Sequence, residues 1–413
     1  MNKYIYLFVI LILLVSCHNK TETKSDIPSI TLEGLWDSND FVNLSEVAES
    51  IEYIPLEKTP ECILPGENML GGKICGDIII IRFQDHPLNV FNRRGEYMFN
   101  IGNYGKGPGE YISAKVEYDQ INSLYWILDP SQHKILKYDK SGSFLDEFKT
   151  EQYVCRIALN ADGKLYALKL PHRRQFEDAE VQIFGHEGKI ESRIPLYQDR
   201  EPGAGAFFAI AVFFEFINDT LHFNEAPFRI GYKLDGSRWI ESWKIDQGKN
   251  SIPDQDYYDS GTFAKGPAVA SVLETDNYLF IGGFYENYSK RFVLDKTTKS
   301  IKTNTIIAET ELTRDMWGMF NDIDGGLPFW PNGYSSSNEY IQLNDALRYI
   351  ELGQGHLKYY GTDKKVPVSD ELKSLCKKLD PDDNPVAMVV RLKAQGSRLK
   401  AQGSGLRAQV GVK

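Results

Sequence analysis

The chain has little cysteine, no long apolar run and a shortage of positive charge, and each lack excludes something. Five cysteines are spread over 413 residues, at Cys17, Cys62, Cys75, Cys155 and Cys376. None stands in CxxC spacing, so a structural zinc site is not expected. The longest apolar run, Tyr4 to Val15, is shorter than the roughly 20 residues a membrane-spanning helix needs. The seven histidines (His18, His86, His133, His172, His186, His222, His356) form neither HxH nor HExxH, which argues against catalytic zinc. There is no GxSxG elbow and no GxxxxGK[ST] loop. Net charge is -10, with one base in residues 1–16 and six in residues 391–413, leaving -17 on residues 17–390. So acidic a body is a poor partner for nucleic acid, whose affinity comes from neutralising phosphates. Up to residue 310 no stretch keeps a helical period, which excludes a parallel α/β fold.

What the chain does have is aromatics and repeats. Tyr and Phe number 23 and 22, residues that favour half-buried pleated surfaces. The stretch from Gly76 to Gly109 is a meander: Ile78–Ile81, a break at Pro87, Leu88–Phe91, a turn at Arg93-Arg94-Gly95-Glu96, then Tyr97–Ile101. Its first run recurs at Leu124–Leu128, Leu165–Leu168, Leu221–Phe223, Tyr278–Ile281 and Tyr340–Leu343, mostly opened by Asp, Asn or Gly. The later runs recur as well, with turns at Ser141-Gly142, Glu187-Gly188 and Asp235-Gly236. Six units at a period of roughly 40–60 residues, each of four short strands, is the pattern of propeller blades. The fold expected is all-β: a six-bladed β-propeller of four-stranded antiparallel blades over residues 44–392.

The last unit departs from the pattern. Helices are expected over Asp345–Leu352 and after Ser369, whose side chain suits an N-cap ahead of Asp370-Glu371. A strand follows at Val386–Leu392. That gives the unit three strands, while Ile51–Leu56 alternates like a strand and has no local partner. Pairing the two chain ends closes the ring and removes its exposed edges. Beyond it, Arg391–Ser397 is repeated residue for residue at Arg398–Ser404. Residues 393–413 are read as a low-complexity basic tail, disordered and without a role.

The N-terminus reads as a targeting segment: Lys3, the short apolar stretch, then Leu14-Val15-Ser16-Cys17. That tetrad resembles a bacterial lipobox, which implies cleavage after residue 16, lipidation of Cys17 and a flexible spacer over residues 17–43. His18 in place of Asp implies, by the same resemblance, the outer membrane. An exported compartment permits disulfides, with Cys62 and Cys75 the nearest pair. Buried free thiols are the other reading. The repeated units, the lipobox and the link Ile101-Gly102-Asn103-Tyr104-Gly105-Lys106-Gly107-Pro108-Gly109-Glu110-Tyr111 together resemble the six-bladed, NHL-repeat-like propeller lipoproteins of Bacteroidetes-type bacteria. The resemblance spans residues 14–392. It implies a fold and an envelope location, and no activity.

Candidate chemistry is sparse. Gly105, Gly107, Pro108, Gly109, Glu110 and Tyr111 read as an inter-blade turn, since no helix follows to receive an anion. Asn321–Gly325 and Asp380–Asn384 offer oxygens at short spacing, but turns and caps account for both and neither ends in the glutamate of a calcium loop. No cofactor is expected, with calcium at one of these two turns as the lesser alternative. Inner strands are placed near Met69–Ile74, Ala114–Asp119, Val154–Leu159, Phe208–Ile217 and Val269–Glu274, mostly apolar, with Lys115, Glu117, Arg156 and Glu215 as ligand-facing candidates. Trp317 and Trp330 stand in a Gly- and Pro-rich loop able to offer aromatic faces to a sugar. The expectation is a monomeric, membrane-tethered binding module for a small molecule, glycan or protein. The alternatives are a propeller enzyme of lactonase, dehydrogenase or lyase type, and an envelope scaffold.

Overall fold

The computed structural model describes residues 27–38, 40–65, 69–171, 177–185, 187–197, 212–253, 266–285, 288–304, 307–309, 316–331, 338–360, 365–394 and 409–410. The expected signal segment, Cys17, His172, His186 and most of the tail lie outside them. The described residues form six antiparallel blades round a channel. Blade 1 runs Met69–Cys75, Ile78–Phe83, Leu88–Asn92 and Tyr97–Ile101. Blade 2 covers residues 115–149, blade 3 residues 154–195, blade 4 residues 212–246 and blade 5 residues 268–304, each in simple strand order. The inner strands are Met69–Cys75, Lys115–Asp119, Val154–Leu159, Val212–Ile217, Ala268–Glu274 and Glu339–Asn344.

The apolar runs that announce each unit are second strands, and they read as nearly continuous because each has two faces to bury. Ile79 and Ile81 enter a cluster with Ile341 and Val389 of blade 6, while Ile80 enters one with Tyr125 and Ile127 of blade 2. Trp126 and Leu128 turn the other way, into blade 3. Tyr278 and Phe280 face blade 6, and Leu279 and Ile281 face blade 4. The core is thus divided into inter-blade layers. Burial of this kind stabilises by about 25 cal/mol per Å² of apolar surface.

Blade 6 differs from expectation in its membership. The sixth unit supplies two strands, not three: Glu339–Asn344 and Val386–Leu392. Between them the chain forms the helices Ala346–Gln354 and Asp370–Cys376, the second capped by Ser369 Oγ accepting from Leu372 N at 3.1 Å. Tyr349, Leu352, Leu372 and Leu375 bury these helices against the blade 5–6 layer, and the one described strand between them, Lys358–Tyr360, pairs with Ile307–Glu309 and not with blade 6. Ala48–Pro55 takes the third place, antiparallel to Val386–Leu392, with Tyr53 opposite Met388. Ile51 and Tyr53 face blade 5 while Ile54 faces blade 1. The fourth place is held by Gln409–Val410 of the tail, parallel to Glu52–Tyr53.

The stretch expected to be a flexible spacer is docked from residue 29 onward. Ser29–Thr31 adds a fifth, parallel strand outside blade 4, with Ile30 opposite Ile245. Trp36 is 4% exposed, its Nε1–H donates to the carbonyl of Gln247 at 3.0 Å, and its ring meets Phe292 edge-on at 4.9 Å. A large aromatic with an indole partner is the physical reason this segment is held.

Candidate ligand channel

The inner strands run side by side, so residues two apart on each face the channel in tiers. On Lys115–Asp119 the facing residues are Lys115, Glu117 and Asp119. On Met69–Cys75 they are Gly71, Lys73 and Cys75. Two adjoining cavities result, sharing Lys73 and Glu215 as lining. The first, at the N-terminal ends of the inner strands, has a volume of about 550 Å³ and is lined by Arg82, Lys115, Arg156, Val212, Phe213 and Leu273 among others. The second, about 420 Å³, lies towards their C-terminal ends with Glu117, Asp119, Asn160 and Asp219.

Charge divides along this axis. At the middle tier Lys73 donates to Glu117 in a close ion pair, with the two side chains 21% and 14% exposed. Burial lowers the Lys73 ammonium, but the Glu117 carboxylate, paired and hydrogen-bonded to it, helps hold it above its usual range. Glu215 is pushed up to about 8, chiefly by burial; Glu117 adds to the rise, and Lys73 and Arg156 oppose it. A carboxyl in that position is mostly protonated at neutral pH and can donate a hydrogen bond. The entrance tier is cationic. Arg82 donates to the carbonyls of Ala114 at 2.9 Å and Leu70 at 3.4 Å, and Arg156 to that of Cys155 at 2.9 Å. Lys115 is lowered to about 8 by burial and by repulsion from Arg156 and Arg82. At the far end Asp119 caps its own turn, accepting from Ile121 N and Asn122 N at 3.0 Å each.

A family profile, that of the domain of unknown function DUF4934, matches residues 27–391. The chain belongs to the DUF4934 family. Among curated proteins none matches the sequence. A protein of Bacteroides fragilis NCTC 9343, described as exported, is 17% identical and aligns over 89% of this chain and 99% of its own, at TM-score 0.64. A DUF4221-family member from Bacteroides vulgatus ATCC 8482 is 10% identical over 64% of this chain and 86% of its own, at TM-score 0.43. Streptogramin B lyase is 10% identical over 83% of this chain and 98% of its own, at 0.40. The first of these supports the fold, and the other two are too distant to carry an argument.

Within this DUF4934 propeller, Lys115, Glu117, Arg156 and Glu215 all line the channel. Trp317 and Trp330 lie elsewhere. Trp330 is 9% exposed in the blade 5–6 layer, edge-on to Phe280 at 5.5 Å, with the Arg291 guanidinium 4.9 Å above its ring. Arg291 also donates to the Trp317 carbonyl at 3.1 Å, so one cation ties the two together. The glycine-rich link is an inter-blade clamp. Asn103–Tyr104 pairs in parallel with Glu110–Tyr111, Gly107 N donates to Glu110 Oε2 at 2.8 Å, and Tyr138 Oη to the Gly109 carbonyl at 2.8 Å. Gly109 has φ +67°, and a Cβ there would sit 2.8 Å from the Phe144 ring, so the position requires glycine. Gly105 and Pro108 complete the same turn, Gly105 N donating to the Tyr111 carbonyl at 3.0 Å.

Both acidic turns make structural hydrogen bonds. Asp322 accepts from Ser45 N at 2.9 Å, and Asn384 bridges Leu64 N with the carbonyls of Glu57 and Cys62. Among the described residues no cluster of three metal-ligating side chains occurs. Cys62, Cys75, Cys155 and Cys376 are all buried free thiols; burial pushes the first two up to about 12. No helix among the described residues is long and apolar enough to cross a membrane. Among the cations of the channel, sequence reasoning missed Lys73 and Arg82. Lys73 was findable, since it alternates with Gly71 and Cys75 on an expected inner strand. Arg82 was not: it sits on a second strand, and only the length of its side chain brings it to the channel.

Proposed function

We propose that this propeller is a lipid-anchored envelope protein that binds a small molecule in its central channel. The observation that carries the reading is the channel itself: charged side chains from blades 1 to 4 converge on cavities of ligand size. The envelope location is supported by the lipobox-like Leu14-Val15-Ser16-Cys17 and by structural likeness to a protein described as exported. The binding test is a ligand screen on the full chain in detergent, read by melting temperature. A hit that Glu215→Gln or Lys73→Met weakens supports the channel; hits indifferent to both sink it. For the anchor, radiolabelled palmitate should enter the wild type and not Cys17→Ser, which should leave the membrane fraction.

One observation favours a second reading. Glu215, raised to about 8 beside an ion pair in a cavity, has the character of a general acid. The propeller-enzyme reading then gives Glu215 the proton-donating role. It requires that a screened ligand be turned over and that Glu215→Gln abolish turnover while retaining binding.

A further inference from the structure

Arg82 from blade 1, Lys115 from blade 2 and Arg156 from blade 3 face one cavity. They lie near enough to repel: Arg156 disfavours the charge on both Arg82 and Lys115, after burial has already done so. Among the described residues no carboxylate forms an ion pair with Arg82 or Lys115 (Arg82 is held by two carbonyls). Gathering like charges in a half-buried cavity costs folding stability, and such costs concentrate where a ligand repays them. The wall across the channel is of another kind: Val212, Phe213 and Leu273, from blades 4 and 5. The remaining charged groups on the cavity do not cancel the charge of Arg82 and Lys115. Lys73 is engaged by Glu117, and Glu215 is mostly protonated at neutral pH.

We propose that this end of the channel is a site for an organic acid, whose carboxylate is taken by Arg82, Lys115 and Arg156 and whose apolar body lies against Val212, Phe213 and Leu273. The assignment rests on the channel-binding reading and narrows it. The cavity's volume of about 550 Å³ suits a ligand rather than a lone ion. Guanidinium and ammonium donors to a carboxylate make the stronger class of hydrogen bond. Binding should weaken as pH rises through about 8, because Lys115 then loses its charge and Glu215 gains one. Lys73, held above its usual range, stays charged across that range.

The test is calorimetric titration of the full chain in detergent, at neutral pH and fixed ionic strength. The probes are benzoate, its neutral counterpart benzyl alcohol, and inorganic phosphate. The expected result is binding of benzoate that neither other probe matches, weakened about tenfold or more by Lys115→Met. The variant should melt no lower than the wild type, since it removes a repelled charge, so lost binding will not be lost folding. Benzyl alcohol binding as well as benzoate, unchanged by Lys115→Met, overturns the carboxylate assignment and leaves channel binding standing. Phosphate binding as well as benzoate overturns the apolar half. Silence with all three, in a protein that melts cooperatively, overturns the proposal, while a screening hit sensitive to Lys73 would still uphold the broader reading.

Discussion

At the scale of single residues, the inter-blade link and the buried carboxylate of Glu274 show what fixes one blade to the next. Tyr111 is 1% exposed, and its hydroxyl donates to the Ile101 carbonyl at 2.5 Å while accepting from Leu88 N at 2.8 Å. Tyr111→Phe keeps the ring and leaves both backbone groups unpaired in the core. The expected cost is about 1–3 kcal/mol, seen as a lower urea midpoint; an unchanged midpoint would show the hydroxyl to be idle. Glu274 is 1% exposed and takes hydrogen bonds from Trp243 Nε1 and Lys296 Nζ at 2.8 Å each. Burial would raise it, but His222 and Lys296 outweigh burial and hold it at about 2. Depressed below its ordinary 4.5, it contributes stability that is present above that value and lost as pH falls towards 2. Glu274→Gln should therefore be less stable than the wild type at neutral pH, with the gap closing on acidification from pH 4.5 to 2. A gap constant with pH would rule the linkage out.

At the scale of elements, two N-terminal pieces do different work. Ala48–Pro55 completes blade 6 and buries Ile51, Tyr53 and Ile54. Without it Val386–Leu392 becomes an open edge, and open edges template aggregation. Deleting residues 44–58 should give an aggregating protein; a soluble one with unchanged melting would refute closure. Residues 29–38 only clasp the outside of blades 4 and 5. Trp36→Ala should cost about 3–5 kcal/mol by calorimetry or denaturant, yet leave the β-sheet circular dichroism spectrum intact. The sequence made the closing strand legible because its alternation is long enough to be read. It hid the clasp, since Ser29-Ile30-Thr31 is too short to carry a period and Trp36 is a lone aromatic in a polar stretch. Gln409–Val410 was hidden for another reason: it follows an exact repeat, in a tail that reads as low complexity whatever it pairs with. Inner strands are intermediate, because their channel faces are polar enough to blur the apolar pattern and yet too irregular to name a ligand. Lys115, Glu117, Arg156 and Glu215 were nameable for being isolated charges in apolar runs; that Arg82 joins them depends on neighbouring blades and is not written in any local stretch.

At the scale of the whole molecule, the channel concentrates the electrostatic strain of the ring. Glu215 and Lys115 both reach about 8 from opposite sides, starting from 4.5 and 10.5. Their effects on stability oppose each other in adjoining windows. Between pH 4.5 and 8 the folded protein binds more protons than the unfolded chain at Glu215, so stability falls as pH rises. Between 8 and 10.5 the folded protein binds fewer at Lys115, so stability recovers as pH rises. The two terms together place their minimum near pH 8, where the ligand site is also about to lose its charge. Difference curves isolate each group from the rest of the molecule. Melting temperature for Glu215→Gln minus wild type should climb from pH 4.5 to 8 and then level. The same difference for Lys115→Met should be positive below pH 8 and decline towards zero by 10.5. Flat curves for both would mean that channel water screens these groups fully. The cationic end of the channel would then carry no stored repulsion for a ligand to relieve.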